Sequence, residues 1–163
     1  MDFEERTYKM SYEIHPAESK PPPSVLVGME THPLKQKLQD GSHPRSLVVD
    51  DDKTVLNYVA QMLARLGCHV DTAQEKTDVM NRLTAGVYDL MVTDLEMPEM
   101  NGYHLTQRVK KERYDTKVII MTGRSEADCL DMMATCWVDG WLFKPFGLKE
   151  LRTMLQWLGI LKG

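Results

Sequence analysis

Residues 46–52 read Ser-Leu-Val-Val-Asp-Asp-Asp, a short apolar run that ends in three consecutive carboxylates. A similar arrangement returns at residues 89–94, which read Asp-Leu-Met-Val-Thr-Asp. Short apolar runs without polar alternation are typical of strands buried on both faces of a parallel sheet. The carboxylates that follow would then stand at the carboxyl ends of two strands. These stretches predict a parallel sheet with acidic groups at one end.

Strand and helix patterns alternate outward from these two stretches. The other predicted strands are 68–72, 117–121 and 141–143, and the predicted helices are 54–66, 76–85, 103–112, 125–135 and 148–158. This alternation predicts an α/β fold with a five-stranded parallel sheet, doubly wound as a flavodoxin-like (βα)5 unit with strand order 2-1-3-4-5. The first helix, which stops at Gly67, is expected to bury one face, made of Val55, Tyr58, Val59, Met62, Leu63 and Leu66.

Residues 1–45 differ in pattern from residues 46–163, and we expect them to form a partly extended N-terminal arm. Three consecutive prolines at 21–23 exclude helix and favour an extended spacer. Residues 8–14 alternate apolar and polar side chains, residues 24–27 form a second β-like run, and 33–39 could be a short helix. Two alternatives stay open: a leader without fixed structure, or an arm that adds a strand to a partner or a second copy.

Composition excludes several classes of protein. The chain is 42% hydrophobic and 27% charged with a net charge of −4, which gives no basic face for nucleic acid. No apolar run reaches the roughly 20 residues that cross a bilayer, and the acidic N-terminus is no secretory signal. Three cysteines without metal-ligand spacing suit reduced thiols. We therefore expect a cytoplasmic protein with no membrane contact.

Polar residues follow four of the predicted strands. Asp50 and Asp51 follow the first strand, Asp94 the third, Thr122 the fourth and Lys144 the fifth. Ligands of such sheets bind beyond the carboxyl ends of the strands, so these side chains should meet. Taken singly, each has an ordinary explanation as a helix cap, a turn residue or a solvated charge. Their joint occurrence at four strand ends favours a common site.

The chemistry of this set is that of an aspartyl-phosphate site. Clustered carboxylates cannot all stay ionised without a cation, and hard oxygen ligands suit Mg²⁺. A hydroxyl and an ammonium can bind phosphoryl oxygens, while a carboxylate can act as the nucleophile. Asp52 is expected instead to cap the first helix.

Four blocks carry these strand ends: LVVDDD (47–52), MVTDLEMPEMNG (91–102), IMTG (120–123) and FKPF (143–146). In this order and spacing they resemble the signature motifs of bacterial two-component response-regulator receiver domains, the CheY-like family. The resemblance covers about residues 46–158. It implies a receiver domain over 46–163 that acts as a phosphorylation-activated switch.

The resemblance also implies residue roles. Asp94 would be the phosphoacceptor, and Asp51 and Asp94 would ligate Mg²⁺ directly, with Asp50 acting through water and the main-chain carbonyl of Glu96 as a further ligand. Thr122 and Lys144 would contact the phosphoryl group, and the Lys144–Pro145 peptide would be cis. Trp141 would be the switch aromatic residue, at a position where Tyr or Phe is commoner.

One departure concerns the fourth helix. Receivers often carry Gly-Ala-x-Gly before the last strand, whereas this chain has Cys136-Trp137-Val138-Asp139-Gly140. The helix end that usually relies on Gly for a left-handed turn carries Trp137 instead.

The partners implied are a histidine kinase or phosphotransfer protein as donor and a downstream protein as target. The fourth helix, fifth strand and fifth helix would form the output face, and a homodimer is compatible with it. With no DNA-binding segment after the predicted domain, output is expected through protein contacts. Alternatives are a receiver segment of a hybrid kinase and, less favoured, a haloacid-dehalogenase-type phosphatase, which would need an Asp where Glu96 stands. We expect no enzyme activity beyond the chain's own phosphorylation and dephosphorylation.

Two further expectations concern the surface. Glu96 and Arg124 occupy the two variable positions that flank the route of water to the acceptor, and as opposite charges they could form a gate. Alternatively, both side chains point into solvent. On the fourth helix, we expect the core face to consist of Leu130, Met133 and Ala134. The opposite flank would be an apolar docking surface near Trp137, made of Cys129, Met132 and Cys136. The alternative is that the residues of this flank pack inside the domain.

Overall fold

The computed structural model describes residues 42–112 and 115–162, which form one five-stranded sheet with helices on both faces. The strands are β1 (Arg45–Val49), β2 (His69–Ala73), β3 (Leu90–Asp94), β4 (Lys117–Thr122) and β5 (Gly140–Phe143). The helices are α1 (Lys53–Arg65), α2 (Lys76–Ala85), α3 (Gly102–Glu112), α4 (Glu126–Thr135) and α5 (Leu148–Trp157).

All four strand pairs are parallel and the order is β2-β1-β3-β4-β5, so the predicted fold is confirmed. Each predicted element of this unit is present, with bounds that differ by no more than a residue or so. The strands predicted at 8–14 and 24–27 and the helix at 33–39 lie outside the described residues.

Two hydrophobic cores lie on opposite faces of the sheet because successive strand residues point to opposite sides. Val48, Val92 and Ile119 belong to the core under α1 and α5. Leu47 and Met91 belong to the core under α2, α3 and α4. Each large apolar side chain buried in this way contributes roughly 1.5–3 kcal/mol of transfer free energy. The sheet is thereby a rigid platform for the residues that follow its strands.

The first helix is capped as the sequence predicts. The Asp52 carboxylate accepts hydrogen bonds from Thr54 N at 2.7 Å and Val55 N at 3.3 Å. These bonds satisfy main-chain donors that have no partner inside the helix. Gly67 follows α1 with φ of +90°, a left-handed conformation that favours glycine.

The predicted buried face of α1 is partly wrong. Tyr58 is 51% exposed, whereas Leu56, absent from the predicted face, is 4% exposed. The buried stripe follows Leu56, Val59 and Leu63 at helical spacing, and Tyr58 lies outside it. Its hydroxyl group can stay in water there.

The predicted orientation of α4 is also wrong. Cys129 and Cys136 are buried, while Leu130 is 55% exposed and Ala134 is exposed too. Apolar residues occur all around this helix, so periodicity alone does not select the face that meets the sheet. The small side chains of the two cysteines lie against the core, and the bulkier Leu130 faces outward.

The exit of α4 is fixed by Asp139. Cys136 at the end of the helix has extended backbone (φ −89°, ψ 128°), so no left-handed turn is needed there. Asp139 accepts a hydrogen bond from Val118 N at 2.8 Å and pairs with Lys117 Nζ at 3.1 Å. It also pairs with the buried ammonium group of Lys110 from α3. The carboxylate thus joins α3, β4 and the start of β5.

Among the helices in the part of the chain described, none has the length and apolar character that a bilayer crossing requires.

Candidate functional site

The candidate site lies at the carboxyl ends of the central strands. Asp50 follows β1, Asp94 ends β3, Thr122 ends β4 and Lys144 follows β5. Since β1 and β3 are neighbours although β2 separates them in sequence, the connections leave toward opposite faces and open a crevice between them. Asp50 is 1% and Asp94 is 7% exposed, so two carboxylates are buried at this point.

Lys144 joins the two buried carboxylates. Its Nζ atom lies 2.6 Å from Asp94 Oδ1 and 3.2 Å from Asp50 Oδ2. Burial alone would lower the pKa of Lys144, but its contacts with Asp94 and Asp50 outweigh burial and raise that pKa. Lys144 therefore stays charged and holds both carboxylates at the base of the crevice.

Main-chain amides hold the remaining carboxylate oxygens. Glu96 N donates to Asp94 Oδ2 at 2.9 Å, and Asp52 N donates to Asp50 Oδ1 at 2.9 Å. Burial raises the pKa of Asp50, against the lowering effect of the Asp52 amide and of Lys144. Asp50 is therefore a carboxylate whose charge is only partly compensated, which a further cation would favour.

Thr122 and Lys144 lie on adjacent strand ends. Thr122 is buried, and its Oγ1 accepts a hydrogen bond from Arg124 N at 3.0 Å. Lys144 N donates to the Thr122 carbonyl oxygen at 2.7 Å, and the Lys144–Pro145 peptide bond is cis. Thr122 and Lys144 thus lie at neighbouring strand ends, and the ammonium group of Lys144 contacts Asp94.

The structure does not bring all of the predicted magnesium ligands together. Asp51 is exposed, and its described contact is a main-chain one, from Gln74 Nε2 to the Asp51 carbonyl oxygen at 3.2 Å. Within residues 42–112 and 115–162, no three acidic, His or Cys side chains are arranged as a preformed metal site. The physical reason is that the ammonium group of Lys144 lies between Asp50 and Asp94, while Asp51 points to solvent.

The donor chemistry nevertheless fits Mg²⁺. Two buried carboxylates, those of Asp50 and Asp94, share the one ammonium group of Lys144, which leaves a local excess of negative charge. Hard oxygen donors with room for water are the ligands that this ion prefers. Glu96, whose main-chain carbonyl is a predicted ligand, lies two residues after Asp94 and forms a β-bridge with Asn101.

Glu96 and Arg124 meet above the site. Arg124 Nε lies 3.1 Å from Glu96 Oε1, and an Nη atom of the same guanidinium group also bonds this oxygen. Both side chains are about half exposed. The contact lowers the pKa of Glu96 and raises that of Arg124, so both stay charged. The structure thus brings the predicted gate residues together.

Sequence reasoning missed the role of Gly102. A Cβ atom at this position would lie 2.0 Å from the carbonyl oxygen of Asp94, closer than any contact allows. Gly102 N also donates to the Leu95 carbonyl oxygen at 2.9 Å. Glycine at the first residue of α3 therefore lets the helix lie against the backbone of Asp94. The Asn101-Gly102 pair after Pro98 was the available signal.

The tryptophans differ in exposure. Trp141 on β5 is half-buried against the core under α2, α3 and α4. Trp137 is 46% and Trp157 is 45% exposed, and Met132 is half-buried. An apolar surface thus exists near α4 and α5, although Cys129 and Cys136, predicted to be part of it, are buried.

Comparison with known proteins gives consistent matches. Residues 47–156 match the family described as "Response regulator receiver domain". The DNA-binding transcriptional regulator NtrC of Azospirillum brasilense is 36% identical over 110 residues, which are 68% of this chain and 23% of that protein. The transcriptional regulatory protein DltR of Streptococcus agalactiae is 32% identical over 116 residues, which are 69% of this chain and 50% of that protein. The chain thus spans half or less of the length of these relatives.

Solved structures show the same fold. The response regulator TrrA of Thermotoga maritima, in complex with Mg²⁺ and BeF, is 28% identical with a TM-score of 0.61, covering 71% of this chain and 98% of that one. The chemotaxis response regulator CheY4 of Vibrio cholerae is 24% identical with a TM-score of 0.65, covering 74% of this chain and all of that one. Because the family matches most of the chain at the residues that build the crevice, the chain belongs to the response regulator receiver domain family.

Proposed function

We propose that this chain is a signalling switch in which Asp94 accepts a phosphoryl group from the phosphohistidine of a histidine kinase or phosphotransfer protein. The observation that carries the proposal is the double contact of Lys144, whose ammonium group lies 2.6 Å from Asp94 Oδ1 and 3.2 Å from Asp50 Oδ2. A charged carboxylate oxygen is the nucleophile that aspartyl phosphate formation requires.

In the proposed step an oxygen of Asp94 attacks phosphorus, a new O–P bond forms and the N–P bond of the donor histidine breaks. The Asp94 carboxylate charge is thereby replaced by charge on the phosphoryl oxygens. Lys144 already lies 2.6 Å from Asp94 Oδ1 and can follow that charge, and the Thr122 hydroxyl on the adjacent strand end can donate to it.

Mg²⁺, when bound, would neutralise phosphoryl oxygens that otherwise face carboxylates. Asp50, Asp51, Asp94 and the main-chain carbonyl of Glu96 are the groups that would hold it. Burial of Asp50 with a raised pKa supports this assignment, because a buried carboxylate gains most from an added cation.

The response would pass from Thr122 to Trp141, which lie on the adjacent strands β4 and β5. A shift of the Thr122 hydroxyl toward the phosphoryl group would loosen its bond with Arg124 N and free space beside Trp141. The surface of α4, β5 and α5 would then change its protein partners. Exposed Trp137 and Trp157 support an apolar component of this surface.

We place the boundary between the N-terminal arm and the receiver domain near residue 45, where β1 begins.

We also expect this domain to act in the cytoplasm, because Cys68, Cys129 and Cys136 are buried free thiols. Relatives include a transcriptional regulator and the Escherichia coli sensor protein EvgS, which is 30% identical over 112 residues, or 9% of its length. The proposed chemistry at Asp94 is compatible with either kind of protein.

The test is phosphorylation with acetyl phosphate and Mg²⁺, followed by mass spectrometry. We expect one added phosphoryl group in the wild-type protein and none in Asp94→Asn or with EDTA. Asp131→Asn, which changes an exposed aspartate of α4, is the matched control and should be modified normally. Equal modification of Asp94→Asn would refute the assignment. Turnover of an aryl phosphate by the wild-type protein would favour the phosphatase alternative instead.

A further inference from the structure

β2 forms an edge of the sheet and pairs with β1 alone among the described residues. His69 N donates to the Pro44 carbonyl oxygen at 2.9 Å, and the Ala73 carbonyl oxygen accepts from Asp50 N at 3.4 Å. Because main-chain groups alternate in direction along a strand, those of Val70 and Thr72 point away from β1. Within the part of the chain described, β2 therefore presents an unpaired outer edge.

The chain enters the sheet beside this edge. The ring of His43 lies edge-on to the ring of His69, with 5.1 Å between their centroids. His43 Nδ1 also lies 2.8 Å from the carbonyl oxygen of Gly67, just before β2. Together with the bond between Pro44 and His69, these contacts fix the start of the described chain at the amino end of β2. The described chain therefore begins beside β2, at the opposite edge of the sheet from β5.

The arm carries a segment suited to this edge. Residues 24–27, Ser-Val-Leu-Val, are rich in β-branched residues and nearly match the five residues of β2 in length. Residues 28–41 can span roughly 45 Å when extended at about 3.3 Å per residue, well beyond the length of β2. The segment can thus lie along β2 in either direction. Tethering within one chain gives it a millimolar effective concentration at this edge.

We propose that residues 24–27 pair with the outer edge of β2 of the same chain and extend the sheet by one strand. The pairing would satisfy the outward main-chain groups of Val70 and Thr72, as in β-strand addition. It would also cover an edge that could otherwise pair with other chains. The proposal gives the N-terminal arm a role and does not depend on phosphorylation of Asp94.

Amide hydrogen exchange of the full-length protein, followed by NMR, tests the pairing. The test variant is Val25→Pro with Leu26→Pro, because adjacent residues alternate in direction and at least one proline removes a bonded donor. We expect the amides of Val70 and Thr72 to exchange about tenfold or more faster in this variant. The amides of Asp71 and Ala73, which face β1, should not change.

The matched control is Met10→Pro with Ser11→Pro, which breaks the other β-like run of the arm and should leave Val70 and Thr72 unchanged. Equal exchange of these amides in wild type and test variant would overturn the proposal. If the amides of Val70 and Thr72 lose protection only in the control variant, the edge of β2 pairs with residues 8–14, which would also overturn the proposal. Protection that falls on dilution, together with a dimer in sedimentation, would assign the edge to a second copy, again contrary to the proposal.

Discussion

At the residue scale, the site concentrates negative charge that the fold must tolerate. Asp50 is buried, and burial raises its pKa despite the bond from Asp52 N and the nearby Lys144. A folded-state pKa above the unfolded value means that ionisation of Asp50 opposes folding. The charge that receiver chemistry would need at Asp50 therefore lowers the stability of the folded protein, as residues of functional sites often do.

Asp50→Asn should stabilise the folded protein at neutral pH, within the roughly 0.5–2 kcal/mol that single stabilising substitutions give, since the variant keeps an acceptor for Asp52 N without the charge. The gain should be absent at pH values below the unfolded pKa, where both forms are neutral. It should appear as pH rises through the folded pKa of Asp50. Urea unfolding of wild type and variant between pH 3 and pH 8, without Mg²⁺, measures this. The control is Asp51→Asn, which changes an exposed neighbour and should raise the free energy of unfolding very little. If Asp50→Asn is less stable than wild type at neutral pH, the charge of Asp50 does not oppose folding.

The pair of Glu96 and Arg124 makes a kinetic prediction. We expect their contact to flank the route by which water would reach phosphorylated Asp94, and Glu96 has no amide group to orient that water. We expect slow loss of the phosphoryl group in wild type and a rate increase of a few-fold, up to about tenfold, in Glu96→Ala and in Arg124→Ala. Because both changes open the same contact, the double variant should lose phosphate no faster than the singles. If the phosphoryl group is lost at the same rate from all four proteins, the pair of Glu96 and Arg124 does not act as a gate.

The sequence predicts which residues form the site better than it predicts how their side chains are arranged. The residues at the four strand ends follow from hydrophobic pattern and topology, and the structure brings Asp50, Asp94, Thr122 and Lys144 to one crevice. The bridging position of Lys144 depends on side-chain conformations that a pattern does not encode. The need for Gly102 depends on how closely α3 approaches Asp94, a distance of tertiary packing.

At the element scale, α4 shows where periodicity fails. Its apolar residues surround the helix, and the buried stripe runs through Cys129 and Cys136 instead of Leu130. The location of its exit depends on Asp139, which binds Lys110 from α3 and Val118 N from β4. Such links between distant elements are invisible to a local pattern. By contrast, α1 is well located because Asp52 and Gly67 mark its two ends.

Asp139→Ala should therefore destabilise the protein by about 3 kcal/mol, because it leaves the buried ammonium group of Lys110 without its closest counter-charge. Burial already lowers the pKa of Lys110. The loss should shrink as pH rises and Lys110 deprotonates in the folded variant. Denaturant unfolding at pH 7 and pH 10 measures both effects. Asp131→Ala, on the exposed side of α4, should change stability by no more than about 0.5 kcal/mol; equal effects of the two substitutions would contradict the role of Asp139.

At the scale of the whole molecule, the described residues include every group that the proposed chemistry uses. All five strands, both cores and the crevice lie between Arg45 and Leu161. The site stands at the carboxyl ends of the strands, whereas the arm joins the amino end of β1. The two ends of a five-residue strand are roughly 16 Å apart, so the arm's point of attachment is remote from Asp94.

We therefore expect a protein that begins at Pro44 to fold and to accept phosphate from acetyl phosphate at the same rate as the full chain. The shorter protein keeps the bond between Pro44 and His69 that starts the pairing of β1 with β2. If residues 24–27 cover the β2 edge, their removal should lower stability and raise aggregation without changing the phosphorylation rate, since the uncovered edge can pair between molecules. Time courses of phosphorylation by mass spectrometry and urea unfolding separate these effects. Loss of phosphorylation in a shorter protein that still unfolds cooperatively would mean that the arm contributes to the site itself, and that the boundary near residue 45 is wrong.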